Sequence, residues 1–489
     1  MRADERWVQA VKIAIVATFL TAQIAFGDLQ TTVESIVNSA QLGGGTASVC
    51  IIDANSGNIL ADIKSTKKMI PASNQKILTS GAALHILGPS FQFETKMLWD
   101  KETKTLTIVG DGDPTIGDTS LLGVKDWATE NHVLEQELKP WITAIEEQSI
   151  ENIHTILVDD RIFDRNYVHP SWPANQINNW YCAQISGFNY HLNVVHFFPS
   201  PRTNNAHLGA IAPKMPWIKF GNKTTSKRGK KDASSFWVAR PPNSNKMIAR
   251  GNVKEKHSEP VKVAIHNSAL VFGEVLKREL QTQGITVASV EQVAVDAPKS
   301  KGDLIFSHQT PLTPVLSRSN TDSHNLYGEA LLKRIAAAST NQSGSFEDGA
   351  KAVARSVAQR LAIHSASLSP ADGSGMSRNN RVSTKILAKW LASFNIKDPA
   401  GKMLLESLAT PGTGTLKKRF KNFDQADATV HAKSGYLSGV CSLSGLIVLE
   451  ESKLIAFSII VNDVKGSVKG AKTMQERIVF ATIKDLCEN

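Results

Sequence analysis

The sequence predicts an α+β fold, an α/β sandwich whose antiparallel five-stranded sheet is flanked by helices and takes its strands from both chain ends. Three observations carry that expectation. Near the N-terminus, Ala47–Asp53 and Ile59–Ile63 are β-rich runs separated by the turn signal Asn55-Ser56-Gly57-Asn58, which reads as a hairpin. The chain ends with three strand-like runs, Thr429–Gly435, Val440–Leu449 and Lys453–Val461, and a helical pattern from Met474 to Leu486. Between the two ends lies a long stretch of different character, so the sheet has to close around a looped-out middle. A length of 489 residues suits two or three domains. The expected division is 28–93 with 306–489 as one discontinuous domain, and 94–305 as one or two inserted β-rich modules, two being preferred.

Taken in order, residues 1–27 combine Arg2, Arg6 and Lys12 with an apolar run from Ile13 to Gly27 that ends in Ala25-Phe26-Gly27. That run is short for a bilayer span of ~20 residues. It reads as a cleaved signal peptide with Asp28 as the first mature residue, an uncleaved anchor being the alternative, and either places the protein in the periplasm or cell envelope. No later run is apolar enough to span a membrane. Pro71 to Leu87 reads as a helix, with Ile77, Leu78, Leu84, Ile86 and Leu87 on one buried face. From about Phe93 strand-like runs dominate, such as Thr105–Val109 and His154–Val158, followed by a loop-rich region over about 175–259 and a helix over Ala269–Gly284. Helical patterns return at Pro311–Leu316, Asn325–Ile335 and Phe346–Ile363.

Composition excludes several classes. With 42% hydrophobic and 20% charged residues the chain is neither disordered nor membrane-embedded. A net charge of +10 suits an anionic partner such as a cell-wall polymer or a membrane surface, and says little about function. The densest basic run, Lys223–Lys231, is mixed with Thr, Ser and Gly rather than aromatics, so it reads as a solvated loop and no nucleic-acid partner is expected. Cys50, Cys182, Cys441 and Cys487 are far apart without a CxxC, and their pairing stays open. His191 and His196 lie five apart in the loop-rich region and read as structural; no HExxH occurs, and no metal or cofactor is expected.

Three short motifs carry chemistry. Ser73 follows Pro71 at a helix start and Lys76 lies three residues on, so both project from one face. A hydroxyl beside a buried amine forms an activated nucleophile, because burial lowers the lysine pKa until it accepts a proton. Ser323-His324-Asn325 follows in an inter-helix loop, and Lys433-Ser434-Gly435 on an edge strand. Each alone is weak; together, in that order, they mark serine acyl-transfer enzymes that recognise penicillins.

Other segments extend the pattern: Gly110-Asp111-Gly112-Asp113-Pro114-Thr115, Trp180–Ser186, Asp372-Gly373-Ser374-Gly375-Met376-Ser377-Arg378 and Gly414-Thr415-Leu416-Lys417-Lys418-Arg419. With these the chain resembles the class C low-molecular-mass penicillin-binding proteins of the peptidase S13 family, D-alanyl-D-alanine carboxypeptidases and endopeptidases. The resemblance runs over most of residues 45–480. It implies a β-lactamase/transpeptidase-like domain with large insertions, peptidoglycan stem peptides as substrate and β-lactams as covalent inhibitors. Two positions depart from the family. His324 stands where an acid is usual, which would alter the pH profile, and Ser434 replaces a threonine.

The resemblance implies the roles. Ser73 is the nucleophile and Lys76 its base; Ser323 relays a proton to the leaving amine, next to Lys433; and Asn325 holds an amide carbonyl. Lys433 and Ser434 suit the terminal carboxylate. Gly435 lets substrate backbone lie against the edge strand, and the N–H groups of Ser73 and Tyr436 form the oxyanion hole. Arg378 and an acid from the insertion, Asp159 with Asp160 as rival, bind the zwitterionic end of a diaminopimelate side chain. The alternative is a non-catalytic penicillin- or peptidoglycan-binding relative or sensor. A β-lactamase would need a deacylating Glu-x-x-x-Asn element, and none stands out.

Overall fold

Both chain ends meet in one sheet. The computed structural model describes residues 29–488 apart from 210, 219, 230, 232, 422–427 and 450–452; the expected signal peptide over 1–27 lies outside them. Helix α1 (29–38) leads into the hairpin β1 (Thr46–Asp53) and β2 (Ile59–Ile63), then helix α2 (Gln75–Ile86). The expectation for α2 was one buried face. Instead every residue from Gln75 to Leu84 is buried, so the helix runs through the interior, enclosed by other elements on all sides. Gly81 makes this possible: a Cβ there would stand 2.6 Å from Trp390 Nε1. That indole is fully buried and donates to the Ile77 carbonyl at 3.2 Å.

The chain then leaves along β3 (Gln92–Asp100) and continues with β4 (Thr105–Val109), α3 (Glu130–Glu147) and β5 (Asn152–Asp159). Short strands follow, β6 (Val194–Phe197), β7 (Phe220–Thr225), β8 (Trp237–Ala239), β9 (Met247–Asn252) and β10 (Val261–Ala264). Helix α4 (Ser268–Thr282), β11 (Thr286–Gln292) and β12 (Asp303–Pro311) close the insertion. Here β11-β5-β4-β3-β12 form a five-stranded sheet, β7-β9-β8 and β10-β6 smaller ones. Trp141 of α3 and Phe272 of α4 meet in its core with ring centroids 5.4 Å apart. β12 returns beside β3, paired antiparallel from Gln92↔Pro311 to Asp303↔Trp99, so outward and return crossings are one ribbon. Helix α3 adds to the β-rich character expected here, and strand character alone does not describe this region.

The rest is helical until the last strands: α5 (Leu312–Asn320), α6 (Asn325–Thr340), α7 (Phe346–Leu361), α8 (Thr384–Ala392) and α9 (Pro399–Ser407), then β13 (Ala428–Leu437), β14 (Val440–Leu449), β15 (Lys453–Asn462) and α10 (Lys469–Glu488). The sheet order β13-β14-β15-β1-β2 is antiparallel throughout. Helices cover both faces, α8 on one side, with α2 in the same core cluster, and α1 and α10 on the other. That is why β14 and β15 read as continuous apolar runs rather than alternating ones. Cys50, Cys182 and Cys441 are buried free thiols, and Cys487 is exposed.

Candidate active site

Ser73 does not lie in α2 itself but in the tight turn Ala72–Asn74 just before it. Ala72 has φ +47°, a left-handed conformation that costs a non-glycine residue about 1–2 kcal/mol. Neighbours hold the turn in place. Asn74 Nδ2 donates to the Lys433 carbonyl, and Ser442 Oγ donates to the Pro71 carbonyl at 2.7 Å. Gly375 allows the closest approach, since a Cβ there would meet the Ala72 carbonyl oxygen at 1.8 Å. Gly435 allows the second: its Cβ would stand 2.8 Å from Ser73 N and 2.3 Å from Ser442 Oγ. Glycines 375 and 435 therefore set the Ser73 turn against the edge strand β13.

Lys76, on the first turn of α2, is fully buried. Its ammonium donates to Asn325 Oδ1 at 2.8 Å and to the Ser374 carbonyl at 2.7 Å. Burial pulls its pKa down to about 8, against the pull of Glu329 and Asp372. The loop that supplies Ser374 is itself anchored. Glu329 accepts from the Gly373 and Ser374 N–H groups, both at 2.8 Å. Asp372 accepts from Trp172 Nε1 at 2.9 Å, Gly375 N at 2.8 Å and Asn380 Nδ2 at 2.8 Å. Burial pushes Glu329 up to about 8. Glu329 and Trp172 are absent from the sequence reading. The signal for Glu329 is its place: a lone acid in the apolar run of α6, four residues past Asn325 and so on the same helical face.

Ser73, Tyr181, Asn325, Arg378 and Tyr436 line one cleft of about 540 Å³. Asn325 reaches it with its amide fixed, Nδ2 donating to the Tyr181 carbonyl at 2.9 Å. Ser323 is half-buried at φ +62°, just before α6. Lys433 is fully buried on β13, donating to the Ser434 carbonyl at 2.8 Å, and burial followed by the nearby Lys76 holds its pKa well below the usual lysine value. Ser434 is half-buried, and Tyr436 is 60% exposed at the cleft mouth. Arg378 donates to the Ser438 carbonyl in the turn after β13 and has no carboxylate partner among the described residues.

Asp159 and His324 each sit in surroundings that the sequence does not announce. Asp159 is not among the cleft-lining residues. Its carboxylate ends β5 and is taken by Arg161 at 2.7 Å and Ser300 at 2.9 Å. Its rival Asp160 is held by Arg165 at 2.9 Å and Gln292 at 2.7 Å. His324 does not titrate in a working pH range: burial, with Arg318 nearby, drives it down to about 3, so it stays neutral between the Trp180 and Tyr327 rings.

An amine whose pKa burial has lowered to about 8 can accept a proton near working pH. The edge of β13 beside it fits an extended peptide, so fold and site are those of a serine-type peptidase. Residues 29–483 match the model of the D-Ala-D-Ala carboxypeptidase 3 (S13) family, and the chain belongs to that family. It is 25% identical over 465 residues to the D-alanyl-D-alanine carboxypeptidase of Actinomadura sp. (strain R39), covering 90% of this chain and 82% of that one. Its fold is similar to the crystal structure of penicillin binding protein 4 (dacB) from Haemophilus influenzae, with TM-score 0.75 and 21% identity over 92% of this chain and 98% of that one. The same protein complexed with a novel β-lactam matches at TM-score 0.69 and 21% identity over the same shares.

Proposed function

We propose that the protein is a serine D-alanyl-D-alanine carboxypeptidase that trims peptidoglycan stem peptides through an acyl-enzyme, with DD-endopeptidase action on cross-links and β-lactams as covalent inhibitors. The observation that carries the reading is Lys76, dry and depressed in pKa, one turn from Ser73 and hydrogen-bonded to Asn325. Ser73 Oγ attacks the carbonyl of the penultimate D-alanine as its proton passes to Lys76. The C–N bond breaks, Ser323 relays a proton to the departing D-alanine amine, and water then hydrolyses the ester. Backbone N–H groups of Ser73 and Tyr436 bind the oxyanion, each donor contributing roughly 3–4 kcal/mol. The terminal carboxylate lies at Lys433 and Ser434, where its arrival favours the charged ammonium that burial disfavours. The second N–H of Asn325 Nδ2 faces the substrate amide. Arg378 takes the carboxylate of the third stem residue's side chain, while Asp159 supports the fold through Arg161. This activity requires export, in line with the basic and apolar pattern of residues 1–27. Among the described residues no helix is long and apolar enough to cross a membrane.

The test is labelling with a fluorescent penicillin and D-alanine release from a pentapeptide. Wild type should do both, and Ser73→Ala neither. Labelling without release turns the reading into a non-catalytic binder, and no labelling of wild type overturns it.

A further inference from the structure

The inserted region holds a second cluster of titratable groups that this reaction does not use. Glu130, the first residue of α3, meets two histidines at one oxygen. His196 Nδ1 lies 2.7 Å and His191 Nε2 3.2 Å from Glu130 Oε1. All three side chains are buried, and their ligand atoms lie within 4.8 Å of one another.

The tautomer of His191 makes the arrangement informative. Its Nδ1 lies 2.8 Å from the Val194 carbonyl. A carbonyl only accepts, so Nδ1 carries the proton, and the Nε2 lone pair of the neutral ring points at Glu130 Oε1. Something positive has to sit between two acceptors: a further proton, or a cation. Two observations favour the cation. A ring N–H given to a backbone carbonyl is the arrangement that aims a metal-binding histidine. Finally, Glu130 Oε2 is buried with no hydrogen-bond partner; a purely hydrogen-bonded cluster leaves it orphaned, whereas a metal takes it as the second tooth of a bidentate carboxylate. (His196 Nε2 is also unpartnered, in either case.)

We propose that Glu130, His191 and His196 form a buried site for a divalent transition metal, zinc by its ligand set, with two nitrogens and both carboxylate oxygens as donors. The metal joins the start of α3 to β6 and to the turn His191–Asn193, whose three residues all have positive φ, a conformation that non-glycine residues keep only when held. The chain just before this turn carries Tyr181 to the wall of the cleft. The site is therefore a structural clamp behind that wall and takes no part in the chemistry.

Metal analysis of the purified full-length chain tests this without reference to turnover. Wild type from zinc-supplemented cells should hold about one zinc per chain, and cobalt substituted for it should show the visible bands of a four-coordinate site. Glu130→Gln and His196→Gln should bind metal at least about tenfold more weakly, while a fluorescent penicillin still labels Ser73. Wild type that retains no stoichiometric zinc and gives no cobalt bands overturns the proposal, as do variants that keep the wild-type metal content. If the variants do not fold, the zinc content and cobalt spectrum of wild type decide alone. Failure of penicillin labelling in wild type would count against the peptidase reading and leave this one standing.

Discussion

Raising the pH from 6 to 8 separates a general-base lysine from a bystander. Burial takes Lys76 down to about 8 and its neighbour Glu329 up to about 8, so the inflection belongs to the pair. Only the neutral amine accepts the Ser73 proton. Its fraction is about 1% at pH 6, about 9% at pH 7 and about 50% at pH 8. The second-order rate constant for acylation by a fluorescent penicillin should therefore rise about tenfold from pH 6 to 7 and about fivefold more by pH 8, followed by stopped flow. Lys76→Arg puts a group that does not deprotonate in the same place; it should lose roughly 10²–10⁴-fold at every pH and show no inflection. A flat wild-type profile, or a rate that falls as pH rises, refutes Lys76 as the base. The same shift has a thermodynamic sign. The folded value of about 8 lies below the unfolded 10.5, so the unfolded chain binds more protons between them and stability rises with pH across that window. Below pH 8 the buried lysine costs the fold about 3 kcal/mol.

Gly435→Ala forces a methyl to 2.8 Å from Ser73 N and 2.3 Å from Ser442 Oγ, displacing the nucleophile turn; acylation should fall by about 10²-fold or more, and an unchanged rate would show that this contact does not position Ser73. Arg378→Ala should lower kcat/KM on stem peptides by about tenfold while leaving penicillin labelling within about twofold, as expected for a side chain that binds remote substrate. Asp159→Ala should instead lower stability in urea by about 1–3 kcal/mol with substrate preference intact, because its carboxylate serves Arg161 and Ser300; a changed preference at constant stability would return it to the substrate. His324→Asp puts a second acid near Asp118 in a buried place, and should cost about 3 kcal/mol in thermal or urea unfolding. A gain in stability would show that the pocket is built for an acid.

Which parts of the site were legible in the sequence follows from where the physics of each part resides. Ser73 with Lys76, and Lys433 with Gly435, are local patterns, and β14 and β15 are apolar runs long enough to announce a strand buried on both faces. Helix α3 was not read, although Leu134, Leu138, Trp141 and Ile145 have helical spacing, because acids dilute the stripe and Pro140 interrupts it. Glu130, His191 and His196 are 61 and 66 residues apart, and no spacing rule spans that distance. Nor does an acid at a strand end announce its partners: Arg161, two residues on, is wrapped around the Asp159 carboxylate. Lys76 shows why a motif is only half of a site. Three residues of sequence place an amine beside a hydroxyl, but on an exposed helix that amine would stay charged and could not take a proton. What lowers its pKa is enclosure, and the enclosing Ser374 carbonyl comes from 298 residues away, held there by Glu329 and Asp372. The reactivity of Ser73 is thus a property of the Asp372–Arg378 turn as much as of the Ser73–Lys76 pair, and substitutions in that turn should move the acylation pH profile without touching either residue.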